Sequence, residues 1–178
     1  MKTEKKFKPN LIANAPKDGS FTKEMRDTLI SNHGGIEKYI VLRKKDGCRM
    51  EFGVELSILT RSLKPVRSTL VNQRFDRFQQ ICMSLNILVE GEFYWMFDGI
   101  VLDRPDLIGY QERMKEITSR LQAYDLAKMY VVEPEILPIK SFEELYKKYD
   151  LALASGWEGL VLTHEKHPYK YGRTTLKS

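Results

Sequence analysis

The sequence is poor in the residues on which many small-protein scaffolds are built. Its 178 residues include two cysteines, Cys48 and Cys82, and three histidines. Two thiols cannot form a disulfide framework, and so few Cys and His argue against a Cys/His zinc site. No apolar run approaches the ~18–20 residues that a membrane-spanning helix needs. The opening MKTEKKFKPN is basic but lacks the apolar core of a secretory signal, so the chain is not expected to be secreted. Internal repeats and low-complexity tracts are missing as well. Net charge is small: 29 Lys and Arg against 24 Asp and Glu leave +5. That excess permits a polyanionic partner without requiring one.

What is present is an ordinary globular composition, 42% hydrophobic and 30% charged, in a length that suits one domain. Residues 1–20 read as an extended arm ending in Lys17-Asp18-Gly19-Ser20. Phe21 to Asn32 reads as a helix stopped by Gly34-Gly35. Tyr39-Ile40-Val41-Leu42 is a short β-rich run. Met50, Phe52, Val54, Leu56 and Ile58 alternate with their neighbours, which predicts a half-buried strand. Lys45-Asp46-Gly47 lies between the two, and Asp-Gly predicts a hairpin turn. Val71 to Leu85 is predicted helical, with Phe75, Phe78, Ile81 and Cys82 on one side. Strands are predicted from Ile87 and over Trp95–Leu102, Met129–Val132 and Gly159–Thr163. Tyr110, Met114, Ile117 and Leu121 follow i, i+4, i+7, i+11, the stripe of an amphipathic helix. Ser141 with Glu144 forms a capping box opening a helix to about Leu153. Strands and helices mix without regular βαβ alternation. The class predicted is α+β, with two packed, mainly antiparallel sheets and flanking helices.

Several segments can carry chemistry. Lys44-Lys45-Asp46-Gly47-Cys48-Arg49 is on its own a solvated turn. It also places a lysine at a strand end among cations that can lower an amine's pKa, as a nucleophile requires. Arg61-Ser62-Leu63-Lys64-Pro65 is a charged loop whose arginine geometry suits phosphate. Glu90-Gly91-Glu92 follows an apolar strand, and its two carboxylates share a face if the strand continues. Trp95-Met96-Phe97-Asp98 carries aromatics that could stack on a base. Glu158-Gly159 puts a carboxylate at the mouth of a buried strand, where it could hold a phosphate-bridging metal.

In this order the segments resemble the covalent nucleotidyltransferases, and most closely the small ATP-dependent DNA ligases of bacteriophages and large DNA viruses. Lys8-Pro9-Asn10-Leu11 and Tyr169-Lys170-Tyr171-Gly172-Arg173 add to the likeness, which covers nearly the whole chain. The resemblance implies an ATP-grasp-like adenylation domain over 1–178. It implies that Lys44 attacks the α-phosphate of ATP and forms a lysyl-N–AMP. AMP then passes to the 5′-phosphate of a nick, and the 3′-hydroxyl displaces it. By the same resemblance Arg49 contacts the ribose and later the nick, and Arg61 reaches phosphate. Glu92 holds the ribose, Phe97 stacks on adenine, and Glu158, with Glu92, supports Mg²⁺. Leu42 would meet the adenine edge through its backbone carbonyl, because it and Arg43 replace the family's usual polar, acidic or proline residues there. Lys64 and Arg173 are further candidates for DNA or phosphate contact. The expected partners are ATP and nicked double-stranded DNA, and the expected state is a monomer in a bacterial or phage-infected cytoplasm or a virus.

Two departures bear on the expectation. Glu92 and Phe97 stand five positions apart where the family has a longer stretch, so a segment near Tyr94–Trp95 is expected to be missing. The family's later Lys-x-Lys strand and OB-fold domain also lie beyond Ser178, so this chain alone is expected to bind ATP weakly and to seal nicks poorly. An RNA ligase or an mRNA-capping guanylyltransferase is the alternative within the superfamily. A catalytically silent basic DNA-binding module is the alternative outside it.

Overall fold

A computed structural model of the chain describes residues 10–11, 23–27, 34–92, 95–169 and 172–173. In chain order its strands and helices are β1 (Asn10–Leu11), β2 (Tyr39–Lys44), β3 (Arg49–Phe52), β4 (Leu59–Thr60), α1 (Thr69–Ser84), β5 (Ile87–Glu92), β6 (Trp95–Val101), α2 (Tyr110–Leu121), α3 (Phe142–Ala154), β7 (Gly159–His164) and β8 (Gly172–Arg173). Residues 23–27 are helical, and 3-10 turns occur at Ile36–Lys38 and Ala127–Met129.

Four consecutive apolar residues in a strand need cover on both faces, because successive side chains point in opposite directions. β2 obtains that cover. Ile40 and Leu42 enter the main core, while Tyr39 and Val41 join Ile36, Ile139 and Leu145 in a second cluster. Its partner is β7, antiparallel, with Leu42 opposite Val161 and Lys44 opposite Gly159. The second sheet has the order β4-β3-β5-β6, antiparallel throughout. β1 and β8 form a short parallel pair. Ile40 and Leu42 of one sheet share the main core with Met50, Phe52, Val89 and Met96 of the other. The α+β arrangement of two packed antiparallel sheets with flanking helices is therefore the one expected.

Helices formed where the local pattern was strongest. Tyr110, Met114, Ile117 and Leu121 are all buried, and they span α2 from end to end. Phe75, Phe78, Ile81 and Cys82 of α1 are buried as predicted. Ser141 caps α3 by accepting from the Glu144 N–H at 3.2 Å, and Glu144 reaches back to the Lys140 N–H at 2.9 Å.

Three strand predictions need correction. Lys45-Asp46-Gly47 does not close a hairpin, since β2 pairs with β7 and β3 with β4 and β5. The segment is a crossover between sheets, where long-range pairing of a doubly apolar strand outweighs local turn propensity. The strand predicted over Met50–Ile58 ends at Phe52. Gly53 has φ +81°, and a Cβ there would lie 2.2 Å from the Ile87 carbonyl oxygen. Buried Gln79 of α1 fixes the following turn, accepting from the Gly53 N–H at 2.8 Å and donating to the Glu55 carbonyl. Leu56, placed in the alternation, is 82% exposed. Met129–Val132 is not a strand: a 3-10 turn ends at Met129, Tyr130 is left-handed with φ 60°, and Val132 makes a single bridge to Trp95.

The 1–20 arm and most of the predicted 21–32 helix lie outside the described residues, as do Phe93 and Tyr94. Glu92 and Trp95 on either side of those two are register partners of β5 and β6.

Candidate active site

The crossover from β2 to β3 opens a cleft between the two sheets. Leu42, Lys44 and Arg49 line it, and so do Glu92 and Phe97 across the second sheet. Five residues selected from the sequence thus converge on one concavity. β2 contributes Leu42 and Lys44 at alternate positions. Arg49 and Glu92 face each other as register partners of β3 and β5.

Lys44 is fixed by sheet register. The Glu158 N–H donates to the Lys44 carbonyl at 3.1 Å, extending the β2–β7 ladder by one residue. That bond brings the Glu158 carboxylate to the Lys44 ammonium, which donates to it. The nucleophile candidate and the metal-ligand candidate, 114 residues apart in sequence, are in direct contact.

Glu92 is half-buried, and burial raises its carboxyl above the ordinary value of 4.5. The Arg49 and Lys44 cations oppose that rise, and the Glu158 and Asp46 carboxylates add to it. These groups therefore form one electrostatic neighbourhood. The Arg49 guanidinium lies 4.9 Å from the Phe97 ring centroid. A planar cation on that ring shows that its face accepts a flat group. The Tyr110 hydroxyl donates to the Phe97 carbonyl at 2.7 Å and anchors this part of β6.

Arg61 and Lys64 are exposed and do not line the cleft. The β3–β4 register, Met50 opposite Thr60, nevertheless puts the loop after Thr60 at the Arg49 end of the sheet. Arg173 lies in β8, beside Leu11 of β1.

Sequence reasoning missed several lining residues: Tyr110, Pro134, Glu135, Val161 and Thr163. Val161 and Thr163 are alternate positions of β7, so period two, read together with Leu42, is the signal that could have found them. Trp157 was also missed. It packs edge-on against Trp95 at 4.9 Å, with Arg43 and Lys45 each 5.5 Å from its ring. Arg43 also pairs with Glu135 at 2.8 Å.

Beneath the cleft lies a buried charged layer. Glu51 faces Glu90, and Glu90 faces Asp98, across three adjacent strands. Arg113 of α2 donates to Asp98 Oδ1 at 3.0 Å, to the Gly99 carbonyl at 2.9 Å and to the His167 carbonyl at 3.0 Å. The Tyr169 hydroxyl donates to Glu90. Burial, reinforced by Glu90, pushes the Glu51 carboxyl up to about 10. Ionised, neither Glu51 oxygen would meet a donor; protonated, it can donate to Glu90.

Solved DNA ligases share this architecture. The adenylated DNA ligase of Chlorella virus superposes with a TM-score of 0.69 at 18% identity, over 96% of this chain and 65% of that one. The chain has the ATP-dependent DNA ligase fold. The bacteriophage T7 ATP-dependent ligase in complex with ATP matches this ligase fold with a TM-score of 0.62 at 13% identity, over 93% of this chain and 66% of that one. The ligase domain of LigD from M. tuberculosis gives 0.64 at 17% identity, over 95% and 58%. The chain thus spans less than two thirds of the Chlorella virus ligase it matches. No protein-family model and no curated protein matches the sequence.

Proposed function

We propose that the cleft is a nucleotidyl-transfer site in which Lys44 takes AMP from ATP and passes it to the 5′-phosphate of a nick in double-stranded DNA. The observation that carries this reading is the Lys44–Glu158 contact, held by the β2–β7 register in the same cleft as Arg49, Glu92 and Phe97.

An amine attacks only as the free base. The proton that Lys44 must shed has the Glu158 carboxylate as its hydrogen-bonded acceptor. Nζ then bonds to the α-phosphorus, the bond to the bridging oxygen breaks, and pyrophosphate leaves. Positioning and charge neutralisation do most of the work in such transfers. Phe97 offers the adenine a ring face once Arg49 moves off it toward ribose and phosphate. Leu42 and Val161 supply an apolar wall, and Glu92 is placed to accept from ribose hydroxyls.

Mg²⁺ is commonly held by one or two carboxylates together with substrate phosphates. Glu158 at Lys44, with Glu92 in the same charge neighbourhood, is a donor set of that size. Among the described residues no cluster of three or more His, Cys, Asp or Glu forms a self-sufficient cage, which suits a cation shared with a triphosphate. Bound there, the ion would neutralise phosphate charge.

The test is mass spectrometry of the intact chain after ATP and Mg²⁺. An added AMP mapped to Lys44, and absent from Lys44→Ala, is the expected outcome. An adduct on Lys45, or none on the wild-type chain, overturns the assignment. GTP in place of ATP distinguishes a capping-type transfer, and nicked DNA against nicked RNA distinguishes the acceptor.

A further inference from the structure

One stretch outside the cleft is rich in cations and poor in carboxylates. Between Arg61 and Arg77 there are five cations, Arg61, Lys64, Arg67, Arg74 and Arg77, against the single carboxylate Asp76. Those 17 residues carry +4 of the whole chain's +5. All five cations are exposed.

Elsewhere several exposed cations are matched locally: Arg104 with Asp106, Lys147 with Glu143, Lys148 with Glu144, Lys128 with Asp125. Among the described residues Arg61, Lys64, Arg67 and Arg77 have no such carboxylate.

The fold lines these cations up. The loop after β4 starts at the Arg49 end of the sheet. It is tied down where the Thr60 N–H donates to the Lys64 carbonyl at 2.8 Å and the Asn72 side chain donates to the Val66 carbonyl at 2.7 Å. Ser68 then caps α1. On α1, Leu70, Arg74 and Arg77 fall at i, i+4 and i+7, one stripe of an α-helix. Asp76 is displaced by about 100° from Arg77. The stripe faces solvent, since Leu70 is 78% exposed. At its side Tyr130 holds a left-handed backbone, φ 60°, and presents a ring 51% exposed, with the Arg74 guanidinium 4.0 Å from its centroid. Two residues on, Val132 bridges to Trp95 in the cleft wall. The backbone carrying these cations and Tyr130 therefore adjoins cleft-lining strands at two points, near Arg49 and at Trp95.

We propose that this surface, from Arg61 along the Arg67–Arg74–Arg77 face to Tyr130, seats the phosphate backbone of the duplex flanking the reacting end. The identity of the polyanion rests on the ligase reading above. Exposed guanidinium groups in a line give repeated phosphate contacts without base recognition, which suits an enzyme that must act on any sequence.

The experiment measures binding of a nicked DNA duplex by fluorescence anisotropy across a salt series, alongside lysyl-AMP formation by the same samples. The variants are Arg67→Gln, Arg74→Gln and Arg77→Gln, singly and together. Removing one arginine–phosphate interaction should lower the slope of log K against log salt by about 0.9, or affinity by roughly eightfold at 0.1 M salt. Lysyl-AMP formation and melting temperature should hold. Arg104→Gln, a matched cation elsewhere, should leave the slope unchanged, and Arg74→Lys should retain most of it.

An unchanged slope in the triple variant overturns the proposal. If the slope falls but the wild-type chain forms no lysyl-AMP, the functional reading fails while the surface stands. If lysyl-AMP forms and the slope does not move, only the surface fails.

Discussion

At the mouth of the cleft Lys44 and Glu158 meet with 40% and 45% of their side chains exposed; at its floor Arg113 and Asp98 meet with 2% and 7%. The chemistry of the two pairs is alike and their physics is not. Water screens the upper pair, so either member can exchange partners at little cost, as the roles proposed for them require. The lower pair has no water to fall back on. Three further guanidinium protons go to backbone carbonyls, and the pair ties α2 to β6 and to the segment after β7. The contrast sets a buried charged foundation that holds the strands against an exposed charged rim whose partners can exchange.

The largest effect should come from breaking the floor. Arg113→Leu removes the guanidinium that pairs with buried Asp98 and donates to the Gly99, Ile108 and His167 carbonyls. A loss of about 3–5 kcal/mol of unfolding free energy is expected, read by urea denaturation. A loss under about 1 kcal/mol would show that water reaches this layer and that floor and mouth do not differ.

A smaller effect tests where the floor keeps its proton. Burial first, then the carboxylates of Glu90 on β5 and Asp98 on β6, raise the Glu51 carboxyl from 4.5 to about 10 against the opposing pull of Arg49 on its own strand. A folded pKa above the unfolded one means that the folded chain holds a proton which the unfolded chain has released. Its stabilisation is complete below about 4.5 and is lost as pH rises toward 10. Glu51→Gln keeps a donor toward Glu90 and has nothing to titrate. At pH 5 it should lie within about 1 kcal/mol of wild type, the usual worth of one hydrogen bond. Its relative stability should then improve as pH rises from about 5 to about 9. Parallel pH profiles for the two proteins would move the proton to another group.

The same contrast explains what the sequence made legible. α2 could be read from Tyr110, Met114, Ile117 and Leu121, because helix periodicity is local and its buried stripe is apolar. Lys44, Arg49, Glu92, Phe97 and Glu158 were legible through their order in a family pattern, and they do share one neighbourhood. The floor was not legible. Glu51 and Asp98 read as polar positions in any hydrophobic pattern and Glu90 as one of an acidic pair with Glu92, and their burial depends on β3 and β5 being central strands and on Arg113 arriving from α2. The Lys45–Gly47 crossover was misread for a related reason. A turn signal is local, but β2's choice of β7 is made by residues far along the chain, Leu42 meeting Val161 and Lys44 meeting Gly159.

The smallest expected effect is the one that most sharpens the comparison. Lys44 lies between Arg43 and Lys45 in sequence, and it shares its charge neighbourhood with Arg49, so part of its attraction to Glu158 is offset by repulsion from other cations. Its side chain is 40% exposed, and an exposed pair contributes on the order of 0–1 kcal/mol. Lys44→Ala should therefore change unfolding free energy by no more than about 1 kcal/mol, in either direction. Lysyl-AMP formation should vanish in the same protein. Urea melts of the variant used for the adduct test decide the matter. A destabilisation of about 3 kcal/mol or more, the size expected for a buried pair, would place the mouth in the same physical class as the floor. The absence of the adduct would then reflect a damaged fold and could no longer be assigned to a missing nucleophile.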